Sequence, residues 1–291
     1  MTDNAAFARW ADLDALDKVF VVGAPKSGTT WLQRLLDAHP EIVCSGEGHF
    51  LTRIGRRLAQ VIKTYNSELG IETAQVYQGD PYYRPVEQRE LDALLRAACL
   101  TLMGQRYAGE RVIGDKTPRY AEHLPTLHRV FPEATIVNIV RDPRDVAVSR
   151  LHHAARAGYP DALSPGTDRR ATLLENAGSA WASNVERADA FARKHPERVL
   201  TLQYEALLER TESEIGRVFD RLGVANDPTT TAQIVDATAF RRTAGRARGE
   251  EAPGSFLRKG IAGDWQEALD PDETAVIERA CRRGMDLHGY G

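Results

Sequence analysis

Residues 18–23 form a short apolar run that ends in glycine. Residues 27–38 then carry apolar side chains at helical spacing: Trp31, Leu32, Leu35 and Leu36. A run of this kind predicts a strand buried on both faces, which needs parallel neighbours and helices packed above and below. The helix is expected to close at His39-Pro40. The two elements and the residues joining them make a strand–loop–helix unit, and this unit restricts the chain to α/β folds.

The rest of the chain repeats the alternation. Further strands are expected at residues 42–44, 111–114, 134–140 and 198–202; the third of these, mostly β-branched and apolar, is the strongest. Helices are expected at 50–65, 86–103, 121–131, 146–157, 171–194, 204–222 and 272–285. Residues 70–85 read as a loop holding Tyr77, Tyr82 and Tyr83, which suggests an aromatic-lined pocket. Residues 239–263 contain Gly, Pro and several Arg without apolar periodicity, and read as a long ordered or closing loop. The expected fold is therefore α/β, a P-loop-like three-layer arrangement with a central, mainly parallel sheet flanked by helices. Its ligand is expected beyond the carboxyl ends of the strands. All 291 residues are read as a single domain, with 239–263 closing over the ligand.

Charge and cysteine usage narrow the partners. A net charge of −3 and a pI near 6.3 give no global basic field for nucleic acid or a membrane surface, so any anion site must be local. No apolar stretch approaches a membrane span. The first 17 residues, rich in Ala and Asp, lack the pattern of a secretory leader. Cys44, Cys99 and Cys281 are scattered without metal spacing and are expected to be reduced thiols in the cytoplasm.

The chemistry starts in the first loop, Ala24-Pro25-Lys26-Ser27-Gly28-Thr29-Thr30-Trp31. Gly23 and Gly28 are separated by four residues, as in a P-loop, but the lysine lies inside the loop and no Lys-Ser or Lys-Thr follows the second glycine. Backbone N–H groups around Ser27, Gly28, Thr29 and Thr30 and the helix dipole suit an anion, and Lys26 is placed for the middle of a two-group anion rather than for a triphosphate. The string PKSGTTW resembles the 5′-phosphosulfate loop of sulfotransferases that use 3′-phosphoadenosine-5′-phosphosulfate (PAPS). Two further strings point the same way. Arg141 ends the strongest strand, and Ser149 follows about two helical turns on; the segment is similar to that family's 3′-phosphate motif. Arg258-Lys-Gly-Ile-Ala-Gly-Asp-Trp265, preceded by Phe256-Leu257, is similar to the family's RKGxxGDW signature, in which Arg258, Lys259 and Gly260 would close over the 3′-phosphate. The resemblance also implies that Trp31 stacks on the adenine, that Thr238 and Phe240 flank it, and that Tyr204 helps hold the nucleotide. It spans residues 19 to about 265.

What the resemblance implies is metal-free transfer of a sulfuryl group from PAPS to a small-molecule acceptor, leaving adenosine 3′,5′-bisphosphate (PAP). Lys26 would stabilise the charge developing on the bridging oxygen. The general base is the point of departure. Where cytosolic-type members carry a KTH segment, this chain reads Lys116-Thr117-Pro118. Glu47-Gly-His-Phe50 and Asp115-Lys-Thr-Pro118 are instead similar to the acceptor side of heparan-type sulfotransferases. Glu47 is therefore the expected base, assisted by Lys116, with His49 as its rival; His123, His152 and His153 remain further candidates. Residues 266–271 do not match the dimer motif of cytosolic-type members, so oligomeric state stays open. A P-loop small-molecule kinase and a non-catalytic nucleotide-binding protein are the alternatives.

Overall fold

The computed structural model describes residues 10–250 and 258–291. The apolar runs pair as one five-stranded parallel sheet: β1 (Asp17–Gly23), β2 (Ile42–Ser45), β3 (Val112–Lys116), β4 (Thr135–Val140) and β5 (Val199–Gln203), in spatial order β2-β3-β1-β4-β5. β1 is central, with Val19 opposite Gly114 of β3 and Thr135 of β4. The order reverses direction at β1, so the carboxyl ends of β1, β3 and β4 form a crevice at a topological switch point.

Helices cover both faces. On one, Phe20, Val22, Ile113 and Ile136 pack against α3 (Gln88–Met103) and α4 (Leu124–Val130). On the other, Val19, Val21, Val137 and Ile139 pack against α1 (Thr29–Asp37) and α8 (Thr211–Leu222) through Leu32, Leu35, Ile215 and Phe219. A third cluster joins α5 (Pro143–Arg156), α6 (Asp168–Lys194) and α12 (Pro271–His288) around Trp181, Leu151 and Ile277. Each fully buried side chain of this size stabilises the fold by about 1.5–3 kcal/mol, so the alternation of strands and helices is held by its apolar faces.

Several boundaries differ from the sequence expectation. The helix expected at 50–65 begins as a single π-turn, Phe50–Gly55, and continues as α2 (Arg56–Gln75) through residues read as loop. α2 buries none of its side chains fully, so apolar periodicity gave no signal for its second half. The helix expected at 121–131 starts as a 3₁₀ turn, Pro118–His123, because Pro125 sits in the first turn of α4. α5 starts at Pro143, with Asp142 as its N-cap accepting from Arg144 N at 2.8 Å. The helix expected at 204–222 is broken at Arg210 into α7 (Tyr204–Glu209) and α8. α9 (Pro228–Ala237) had not been anticipated; Asp227 caps it, and only Thr231 and Ile234 are buried on it. Within 239–263, residues Phe240–Ala244 are helical (α10) rather than loop. After them come α11 (Trp265–Ala268) and α12, which extends to His288.

Candidate active site

β1 ends at Gly23 because the chain must pass against β4: its φ is +148°, and a Cβ there would sit 2.4 Å from the carbonyl oxygen of Ile139. The loop that follows turns at Lys26, a non-glycine residue held at φ +82°. It then turns again at Gly28, at φ +93°, where a Cβ would lie 2.5 Å from the Tyr204 ring. Gly28 is the N-cap of α1 and provides no side-chain cap, so the helix opens toward the loop with its dipole unscreened by a carboxylate.

A cavity of about 360 Å³ lies over this loop. Lys26, Gly28, Thr29, Thr30 and Trp31 line it, and so do Arg141 and Ser149 from the end of β4 and from α5. Tyr204, Phe240, Arg258, Lys259 and Gly260 complete the same wall. Three motifs far apart in the chain thus meet at one cavity. Ser27 is buried, and its Oγ has no hydrogen-bond partner among the described residues; the buried Nε of Arg141 has none either. Arg141 lines the cavity and Ser27 lies behind its wall; a buried orphan donor at the wall fits a ligand with oxygen acceptors.

Arg141 is held in place by its surroundings. Its guanidinium donates to the carbonyl oxygens of Lys26, at 3.3 Å, and Ile261, at 3.0 Å, and lies 4.4 Å over the Tyr204 ring. The segment after residue 258 is docked by its own side chains. Asp264 pairs with Arg258 and, at 2.6 Å, with Lys259. Buried Asp145 accepts from the backbone N–H groups of Gly263, at 2.8 Å, and Trp265, at 3.1 Å. Arg144 lies 4.0 Å over the Trp265 ring. Gly260, at φ +66°, is required because a Cβ would meet the Phe240 ring at 2.6 Å. Phe256 and Leu257 lie outside the described residues.

Burial, together with Arg156 and Arg141, pushes the Lys26 ammonium down to about 8. At the other side of the loop Glu47 lines the cavity, and its carboxylate accepts from Lys116 Nζ at 2.8 Å and lies 3.1 Å from His49 Nε2. Burial alone would raise this carboxyl, but Lys116 and His49 outweigh it and hold it below the usual carboxylate range. The loop carrying Glu47 hangs on the end of β3. Asp115 accepts from Gly48 N at 2.9 Å and from the Thr117 hydroxyl at 2.7 Å, and Thr117 Oγ1 accepts from His49 N at 3.3 Å. Burial pushes the Asp115 carboxyl up to about 6. Pro118 lines the cavity beside Glu47.

Some expected residues are elsewhere. Thr238 is buried off the cavity wall, with its hydroxyl donating to the Ile234 carbonyl at 2.7 Å; Thr243 of α10 lines the wall instead. Tyr82 and Tyr83 are 82% and 70% exposed and, like Tyr77, do not line the cavity. His123 is also absent from its wall. Arg34, Arg156 and Arg248 belong to the wall without having been anticipated. Arg34 and Arg156 could have been found by extending the helical faces of Trp31 and Ser149 by one and two turns. Arg248 lies 5.2 Å over the Trp31 ring, a contact with no sequence signature. Among the described residues no group of three or more His, Cys, Asp or Glu side chains could hold a metal ion, and no helix is long and apolar enough to cross a membrane.

Comparison with known proteins places this geometry. Nodulation protein NoeE of Sinorhizobium fredii is 28% identical over 216 residues, covering 70% of this chain and 49% of that protein. The chain spans less than two thirds of the length of curated relatives of this kind. Mouse sulfotransferase SULT7A1 complexed with PAP shares the fold at a TM-score of 0.56 and 20% identity, with 95% of this chain and 89% of that one aligned. Retinol dehydratase in complex with androsterone and inactive cofactor PAP aligns at a TM-score of 0.52 and 19% identity, covering 97% of this chain and 85% of that one. Residues 18–228 match the model of the Sulfotransferase family, and the chain belongs to that family.

Proposed function

We propose that the protein transfers a sulfuryl group from PAPS to a hydroxyl or amine of a small-molecule acceptor. One observation carries this reading: the Lys26 loop, Arg141 with Ser149, and Arg258 to Gly260 converge on a single cavity that Glu47 also lines. A nucleotide with phosphate at both its 5′ and 3′ positions uses all three sets of donors, whereas ATP leaves the Arg141 and Arg258 side of the wall without a phosphate. The PAP complexes of structural neighbours support the same ligand, and the androsterone complex of one of them supports a small-molecule acceptor.

In this reading the acceptor oxygen attacks sulfur in line. A new S–O bond forms, the S–O bond to the bridging oxygen breaks, and the electron pair stays on the departing PAP. Lys26 meets the charge that develops on the bridging oxygen. Glu47 takes the acceptor proton, and Lys116 and His49 orient it from its two sides. These roles need no metal ion. The whole chain is read as one sulfotransferase domain, because α12 closes the core against α6. The three buried, unpaired thiols fit a reducing compartment, and we read the protein as cytoplasmic.

The test is transfer of labelled sulfate from PAPS to a panel of hydroxylated and aminated compounds, with magnesium-dependent ATP turnover as the competing assay. Sulfate transfer that Glu47→Gln lowers by about 10²–10⁴-fold supports the reading. Phosphoryl transfer from ATP without sulfate transfer refutes it.

A further inference from the structure

Ser149, His152, His153 and Arg156 fall at i, i+3, i+4 and i+7 on α5, so they share one helix face, and all four line the cavity. Ser149 belongs to the nucleotide side of the wall. His153 and Arg156 carry the same face onward by one and two turns, into the neighbourhood of Lys26. Arg156 acts on Lys26 more strongly than any other charged group, Arg141 included, and Lys26 in turn acts on His153.

At this end of the cavity the charge of Arg156 is matched by no carboxylate among the described residues. The Arg156 guanidinium donates to His153 Nδ1 at 3.4 Å, and among the described residues no carboxylate lies within 4.0 Å of it. Three other partly buried arginines are paired, Arg96 with Asp14 and Glu133, Arg144 with Asp142 and Glu278, and Arg170 with Glu273, whereas burial alone shifts Arg150 of the same helix. Glu47, the carboxylate that lines this wall among the described residues, is already shared between Lys116 and His49. A position in the last turn of α5 accounts for a cation by the helix dipole. It does not account for two such side chains turned onto the cavity.

We propose that Arg156 and His153 form an anion-recognising acceptor subsite, and that the acceptor is a hydroxyl-bearing molecule which also carries a carboxylate, sulfate or phosphate group. The guanidinium offers a planar fork that matches two oxygens of such a group. Arg156 can only donate, so its bond to Nδ1 leaves Nε2 as the protonated nitrogen of a neutral His153, ready to donate to the same anion. Burial, with Lys26 and Arg156, lowers the His153 pKa and so favours that neutral form. The anion would anchor the acceptor beside Lys26 while its hydroxyl reaches Glu47. The inference rests on the sulfotransferase reading and deepens it.

The experiment pairs each acid with its neutral amide: para-hydroxyphenylacetate and omega-hydroxyhexanoate against their amides. Sulfate transfer from labelled PAPS is measured with the wild-type protein and with Arg156→Gln, and PAP binding is measured for both by calorimetry. The expected result is a kcat/KM preference for acid over amide of about tenfold or more, as loss of a charge-assisted bidentate contact implies. Arg156→Gln should collapse that preference to within about twofold, with PAP affinity within about fivefold of wild type. His153→Phe, which keeps the guanidinium, should reduce the preference only in part. A panel in which no acid exceeds its amide overturns the subsite, and so does a preference that survives in Arg156→Gln. A larger loss of PAP affinity in Arg156→Gln overturns it too, by assigning Arg156 to the nucleotide. Failure of the wild-type protein to bind PAP would refute instead the reading on which the subsite rests.

Discussion

Asp145 holds down the segment that brings Arg258, Lys259 and Gly260 onto the cavity, and removing its carboxylate should therefore weaken nucleotide binding without touching the nucleotide. Its oxygens accept from Gly263 N at 2.8 Å and Trp265 N at 3.1 Å, and Asp145 itself is 1% exposed. Hydrogen bonds to a charged group contribute about 1.5–3 kcal/mol each, so the pair has a ceiling of about 3–6 kcal/mol. Burying the carboxylate offsets part of this, as its raised pKa reflects. The Arg144 contact over Trp265, at 4.0 Å, survives the change and retains some docking. A net loss of about 2 kcal/mol remains, and it acts as a reduced population of the closed, binding-competent segment. Asp145→Ala should then weaken PAP about 30-fold by calorimetry, and the amides of Gly263 and Trp265 should exchange faster while those of β4 do not. Asp145→Asn keeps one acceptor oxygen and should fall between. PAP affinity within about threefold of wild type, with unchanged exchange at Gly263, would refute the role assigned to Asp145.

Further outcomes follow from the same geometry. With burial, Arg156 and Arg141 setting Lys26 at about 8 in the free protein, PAP affinity should fall by roughly tenfold per pH unit above that value, and Lys26→Arg should remove this limb; a flat profile in calorimetry to pH 9.5 would contradict the assignment. Gly28→Ala must place a Cβ 2.5 Å from the Tyr204 ring at φ +93°, and chemical denaturation should show a loss of about 2–4 kcal/mol; an unchanged midpoint would show that the loop is not held against Tyr204. Asp115 binds its proton more tightly folded, at about 6, than unfolded, near 3.8. Its contribution to stability therefore falls as pH rises through that window, by about 3 kcal/mol in all, and stays low above it. Asp115→Asn should lack this fall, and identical pH dependence of urea midpoints in the two proteins would count against it.

Which parts of this were legible in the sequence follows from what each part depends on. β1 and β4 are buried on both faces, so their burial is written as continuous apolar runs, and the Lys26 loop between β1 and α1 is fixed by two glycines whose missing Cβ atoms face Ile139 and Tyr204. Asp264, invisible as a role in isolation, completes the string from Arg258 to Trp265 by pairing with its two cations. The second half of α2 and all of α9 escaped because they bury too little to show a period. The tyrosines expected in a pocket are exposed because the loop that carries them follows a helix lying on the outside of the molecule. Arg156 was missed for another reason: its meaning lies in the company of Lys26, 130 residues away in the chain.

The central claim is that one cavity holds a nucleotide bearing both a 5′ and a 3′ phosphate. Calorimetry of PAP against AMP tests it directly, since the two ligands differ only in the 3′-phosphate that Arg141, Ser149, Arg258 and Lys259 are placed to hold. Several charge-assisted contacts of about 1.5–3 kcal/mol each predict PAP binding at least about 100-fold tighter than AMP. Equal affinity for the two would contradict the account.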